Sequence, residues 1–153
     1  MILDRKHALQ QKLFREFAET EFTKELQDEL DETGEFNWDM HKKMARYGFM
    51  GVKIPEEYGG AGADSLTYVL MDEEFARQDA VLAIYANTSN SLGGGPLLLA
   101  GSESQKKEYL PQVASGEKIL VFGLTEPGAG SDAGGTTTTA IPDGDDFIIN
   151  GRK

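Results

Sequence analysis

The chain has 153 residues, a net charge of -11 and no cysteine. The charge disfavours nucleic acid and anionic membranes as partners, because phosphate repels it. The missing cysteine excludes disulfides, thiolate metal sites and a cysteine nucleophile, in keeping with a reducing cytoplasmic setting.

The first residues, Met1 to His7, turn polar at once and form no signal-peptide apolar core. No apolar run approaches the roughly 20 residues that span a bilayer. Leu9, Leu13 and Phe17, then Phe22, Leu26 and Leu30, recur at spacings of four or five. This predicts one apolar face of a long amphipathic helix ended by Gly34. Asn37 or Asp39 caps a shorter helix with Met40, Met44 and Tyr47, which stops at Gly48. Lys53 to Gly62 is a loop, because Pro55 and its glycines do not fit a helix interior.

Asp64 or Ser65 then caps a helix carrying Leu66, Val69, Leu70 and Ala76. Residues 80–92 are apolar on most sides, as expected of a central helix, and Gly93 to Pro96 break it. Ser102 and Gln105 have capping-box spacing for a helix through Tyr109, with Pro111 and Gly116 closing the helical part. His7 and His41 stand alone and read as solvated. Glu73 and Glu74 are adjacent on a helix and so do not face each other.

From Lys118 the pattern changes. Lys118 to Thr125 is a short apolar segment. Thr136 to Ile141 is a β-branched run and Phe147 to Ile149 another strand, separated by the turn Pro142 to Asp145. The fold class is therefore α+β: a helical domain over residues 1–117 and strands over 118–153. Such short strands cannot bury both faces of a sheet or satisfy its edges, so the second domain is expected to be incomplete.

The densest signal is Phe122-Gly123-Leu124-Thr125-Glu126-Pro127-Gly128-Ala129-Gly130-Ser131-Asp132. Glycines let backbone N–H groups approach an anion, and Thr125 and Ser131 add hydroxyls. Pro127 stiffens the exit from the strand. Glu126 reads as a structural residue that fixes the loop by hydrogen bonds. Taken alone, a glycine loop is more often a turn than a phosphate site. No helix follows it as in a dinucleotide fingerprint, and no Walker Gly-Lys-Ser/Thr is present.

The run Gly123 to Gly135, "GLTEPGAGSDAGG", resembles the signature of acyl-CoA dehydrogenases. "PEEYGGAGAD" (55–64), "NSLGGGPLLLAGSESQKKEYLP" (90–111), "ASGEK" (114–118) and "DGDDFIINGRK" (143–153) agree with it in order and spacing. The resemblance implies a helical N-terminal domain and the start of a β-barrel middle domain. It implies FAD bound by Phe122, Gly123, Leu124, Thr125, Glu126, Pro127, Gly128, Ala129, Gly130 and Ser131. Thr125 would bond the pyrimidine edge of the flavin. Gly130 and Ser131 would lie near the pyrophosphate and the CoA arm of the substrate. Most relatives carry tyrosine where this chain has Phe122, so a bond through that hydroxyl does not carry over; Phe122 reads equally as core packing.

Tyr85, Thr88 and Leu92 match the wall of the acyl pocket, each with an equal reading as core. A bulky Tyr85 would suit a short or modified acyl chain. The implied reaction is α,β-dehydrogenation of an acyl-CoA, or the reverse enoyl-CoA reduction, with electrons passed to an electron-transfer flavoprotein. The implied assembly is a homotetramer. The family's glutamate base lies in the C-terminal helical domain and matches no position here, so no catalytic residue and no metal ligand is assigned. An oxygen-using acyl-CoA oxidase and a non-catalytic helical interaction module are the alternatives.

Overall fold

A computed structural model describes residues 3–153. The chain divides into two units, one running to Val121 and the other from Phe122 to Lys153.

Polar caps set the boundaries of the first unit. Asp4 starts α1 (Arg5–Glu21) by accepting from the His7 N–H. Thr23 starts α2 (Lys24–Thr33), and Asn37 starts α3 (Trp38–Arg46). Asp64 starts α4 (Ser65–Gln78), and Asp79 starts α5 (Ala80–Asn87). A π-turn at Thr88–Leu92 joins α5 to α6 (Gly94–Ala100), and the capping box of Ser102 and Gln105 starts α7 (Glu103–Ala114). Each cap satisfies an N–H that the helix itself leaves without an acceptor.

Phe75 sits fully buried at the centre. The rings of Phe22 and Phe49 meet it edge-on at centroid distances of 5.3 and 5.1 Å, with Phe14 at 6.2 Å. Edge-on aromatic pairs add about 0.5–1.5 kcal/mol beyond the area they bury. Along the seam between α1 and α4 runs a polar ladder. The Thr67 hydroxyl donates to Gln10 at 3.0 Å, while Gln11 and Arg15 donate to Glu74 at 2.7 and 2.8 Å. Among the described residues no helix is long and apolar enough to cross a membrane.

Several expectations change. The long first helix is two helices, because Thr23 offers its hydroxyl to the Leu26 N–H and starts a new one. Leu9 and Leu13 are more than half exposed; the buried stripe of α1 is Phe14, Phe17 and Ala18. Residues 80–92 bury one face only, since Val81, Ile84 and Leu92 remain about half exposed. Gly93 to Pro96 do not end the helical path. The π-turn widens it, and a Cβ on Gly94 would lie 2.0 Å from the Ser89 carbonyl oxygen. Pro96 falls in the first turn of α6, where a missing N–H costs nothing.

Helix α7 runs through Pro111 to Ala114. Packing prevails there: Leu110, Val113 and Ala114 close a second apolar cluster with Ile54 and Tyr58. Neither histidine is solvated. His41 is 1% exposed, with its Nε2 3.0 Å from the Gly116 carbonyl. The His7 ring contacts Asp4 and Asp64.

The second unit holds one antiparallel hairpin, β1 (Thr139–Asp143) with β2 (Asp146–Asn150). Gly144, at φ +63°, supplies the left-handed residue that a two-residue turn requires. Lys118 to Thr125 is not a strand: it has no ladder partner among the described residues. Every residue of the hairpin is exposed, including Phe147 at 64% and Ile149 at 71%.

Candidate functional site

The segment Phe122 to Ser131 is organised by Glu126. The Glu126 and Ala129 backbones exchange hydrogen bonds at 3.1 Å in both directions, which folds Pro127 and Gly128 into a tight turn. The Glu126 carboxylate points away from the loop tip and is 6% exposed. It accepts from the Thr137 N–H at 2.7 Å, the Thr137 hydroxyl at 2.9 Å and the Thr138 N–H at 3.0 Å, and Lys153 Nζ lies 3.0 Å away. The Thr137 N–H, followed by Thr138, holds this carboxyl well below the usual range. A carboxylate with so many donors serves as a structural anchor that stays ionised at neutral pH.

Because Glu126 carries the loop, the groups at its tip stay available. Thr125 and Ser131 are exposed, and among the described residues neither hydroxyl has a protein partner. A Cβ on Gly128 or Gly130 would meet nothing within 4 Å, so the space above the turn is open. Ala129 is buried beneath it. Phe122 and Leu124 are about half exposed. Lys153 donates to the Leu124 carbonyl at 2.9 Å and ties down the residues that lead into the loop. This donor set, with two hydroxyls and unspent backbone N–H groups around small residues, suits phosphate oxygens and the polar edge of a ring.

The helical candidates do not share one face. Tyr85 is buried. Its ring stacks on Phe36 at 4.2 Å, and its hydroxyl accepts from the Asn37 N–H at 2.9 Å. The Thr88 hydroxyl donates to the Tyr85 carbonyl at 3.1 Å, and Leu92 is about half exposed. Thr88 and Leu92 thus lie on the more open side of the α5 and π-turn path, and Tyr85 on the core side.

Sequence reasoning missed the polar network beside them. Asn87 donates to the Tyr68 hydroxyl at 2.6 Å and to Asp72 at 3.3 Å. Burial pushes the Asp72 carboxyl up. Asn90 donates to the Phe49 and Ala86 carbonyls at 2.7 and 2.9 Å and accepts from the Lys53 N–H, which ties the π-turn to residues 49–53. The signal was present: two asparagines inside an apolar helical run need buried partners. Glu74, the other buried glutamate, is saturated by Arg15, Gln11 and Arg77, and Arg15 first of all holds it below its ordinary value.

The family model described as "Acyl-CoA dehydrogenase, N-terminal domain" matches residues 4–117. The caffeyl-CoA reductase-Etf complex subunit CarC of Acetobacterium woodii is 50% identical over 153 residues, which is 100% of this chain and 40% of that protein. A 3-(aryl)acrylate reductase of Clostridium sporogenes is 52% identical over the same span, again 40% of its length. A crystal structure of an acyl-CoA dehydrogenase complexed with FAD from Bacillus anthracis superimposes with a TM-score of 0.83 at 36% identity. It covers 97% of this chain and 26% of that one. The chain thus spans about 40% of the length of the curated relatives it matches.

Proposed function

Since this chain belongs to the acyl-CoA dehydrogenase family through its N-terminal domain, we propose that the whole protein is an FAD-dependent enzyme that interconverts an acyl-CoA thioester and its α,β-unsaturated enoyl-CoA. Residues 1–117 form the family's helical domain and residues 118–153 begin its middle β domain. The observation that carries this reading is the loop anchored by Glu126, which leaves the Thr125 and Ser131 hydroxyls without protein partners.

The flavin, when bound, supplies the hydride-exchanging centre. The chain's own residues bind and orient. Thr125 meets the polar edge of the ring. Gly128, Gly130 and Ser131 give the phosphates close backbone access, with Ser131 also near the CoA arm. Thr88 and Leu92 offer one wall to the acyl group, while Tyr85 backs that wall from the core side. The catalytic glutamate that the resemblance implies belongs to the family's C-terminal helical domain, and no position of this chain matches it; the buried carboxylates of Glu74 and Glu126 are occupied by donors.

The names of the two relatives favour the reductive direction and an aryl-substituted enoyl thioester. The name of the first also favours an electron-transfer flavoprotein as the electron partner, over direct use of oxygen. We propose further, on the family resemblance alone, that the whole protein is a cytoplasmic homotetramer.

The test is anaerobic flavin spectroscopy on the whole protein. The flavin band should bleach with butyryl-CoA or with the saturated 3-phenylpropionyl-CoA. The dithionite-reduced enzyme should reoxidise with crotonyl-CoA or cinnamoyl-CoA. A purified protein that retains no flavin, or a flavin inert to all four thioesters, would refute the reading.

A further inference from the structure

We propose that His7 is a proton-operated latch that fastens the first turn of α1 to the start of α4. One ring reaches two carboxylates, Asp4 three residues before it and Asp64 57 residues after it. Nδ1 lies 2.9 Å from Asp4 Oδ1, and Nε2 lies 3.0 and 3.2 Å from the two oxygens of Asp64. The His7 side chain is 12% exposed, while the Asp4 and Asp64 carboxylates are 64% and 51% exposed, so the bridge sits at the surface with its ring covered and its carboxylates open to water.

The chemistry of the ring makes this arrangement conditional. A neutral imidazole has one N–H, and an ionised carboxylate only accepts. Only when the ring carries its second proton do both nitrogens present an N–H to a carboxylate, Nε2 hydrogen-bonding Asp64 and Nδ1 in ion-pair contact with Asp4. On losing that proton, one nitrogen turns a lone pair toward a carboxylate, and attraction becomes repulsion at that end of the bridge.

Asp4 and Asp64 are the charged groups acting on the ring among the described residues. Each is also an N-cap: Asp4 accepts from the His7 N–H and Asp64 from the Thr67 N–H, both at 2.8 Å. The caps survive deprotonation; only the bridge between them opens. A cation in the first turn of a helix opposes the macrodipole, so the imidazolium is favoured there only because both carboxylates face it.

Asp64 first of all, then Asp4, raises the His7 pKa above 6.5, and the Asp64 carboxyl is held down to about 2. The sign follows. A group whose folded pKa is raised contributes fully below its ordinary value, and the contribution is lost as pH rises through the folded value. The latch is closed below 6.5 and opens above it. Across that window Gln10 and Thr67 carry no titrating group, Glu74 is held below its ordinary value by Arg15 and stays ionised, and Phe14 and Phe17 remain buried. Opening therefore frees the first turn without unseating the rest of α1.

Proton NMR of the 153-residue chain tests this. The His7 ring should titrate with a midpoint above 6.5. Hydrogen-exchange protection factors of Ala8 to Gln11 should fall as pH passes that midpoint, while those around Phe17 hold. Asp64→Asn still caps α4, since asparagine is an equally good N-cap; it should move the midpoint back toward 6.5 and shrink the step. His7→Gln should abolish the step. A midpoint at or below 6.5, or the same loss of protection in His7→Gln, overturns the proposal.

Discussion

The two units are held by opposite means. In the helical unit a ring of phenylalanines excludes water around Phe75, and polar groups serve mainly as caps and seam contacts. In the unit from Phe122 to Lys153, the order of the loop comes from donors gathered on one carboxylate. The difference teaches where a binding loop can afford to be open. If burial held the loop, its hydroxyls and N–H groups would be consumed by protein partners. A polar anchor behind the turn keeps the tip available.

The largest expected effect tests the burial half of this contrast. Phe75→Ala should destabilise the helical unit by about 3–5 kcal/mol, as a cavity in a closed aromatic core does. Urea unfolding followed by far-ultraviolet circular dichroism would measure it; a loss below about 1 kcal/mol would mean the core is not the source of stability.

Glu126→Gln probes the other half. It should abolish exchange protection at the Thr137 and Thr138 amides and leave the helical melting midpoint where it was. For the unchanged chain the same anchor gives a pH dependence. Its folded pKa is depressed, so its contribution is complete above 4.5 and drains as pH falls through the lower folded value. Loss of Thr137 protection already at neutral pH would break the comparison.

A smaller effect is expected from Tyr85→Phe, which keeps the stack on Phe36 and leaves the Asn37 N–H without its acceptor. The cost should be about 1 kcal/mol in the same urea experiment, and no cost would show that water takes over. The smallest belongs to Phe147→Ala on the exposed hairpin, expected within about 0.5 kcal/mol; a cost near that of Phe75→Ala would erase the contrast between the units.

Local rules made much of this legible. Asn37, Asp64 and the Ser102–Gln105 box are where capping chemistry puts them, and the turn around Gly144 follows from its composition. Errors came where tertiary partners override spacing. Leu9 and Leu13 have the period of a buried stripe, yet of that stripe only Phe17 faces the core, joined by Phe14 and Ala18. Pro111 reads as a stop, but Leu110 and Val113 are worth more buried than the missing hydrogen bond costs. The histidines looked isolated because Asp64 and Gly116 are far away in sequence. Glu126 was read as a loop anchor from its place in the glycine segment. Its partners, Thr137 and Thr138, read from sequence only as strand composition, since two of their three bonds to it come from backbone N–H groups that leave no side-chain signature.

The central claim is that the anchored loop keeps Thr125 free for a flavin. FAD titrated into the apoprotein of the whole enzyme at low temperature, wild type beside Thr125→Ala, tests it most directly. The apoprotein melting midpoint is measured beside the titration, so that a loss of affinity is separated from a loss of fold. The variant should bind FAD about 5- to 150-fold more weakly, because a ligand group left unpaired in a dry site costs about 1–3 kcal/mol. Wild-type affinity in Thr125→Ala would remove Thr125 from the cofactor site and contradict the account.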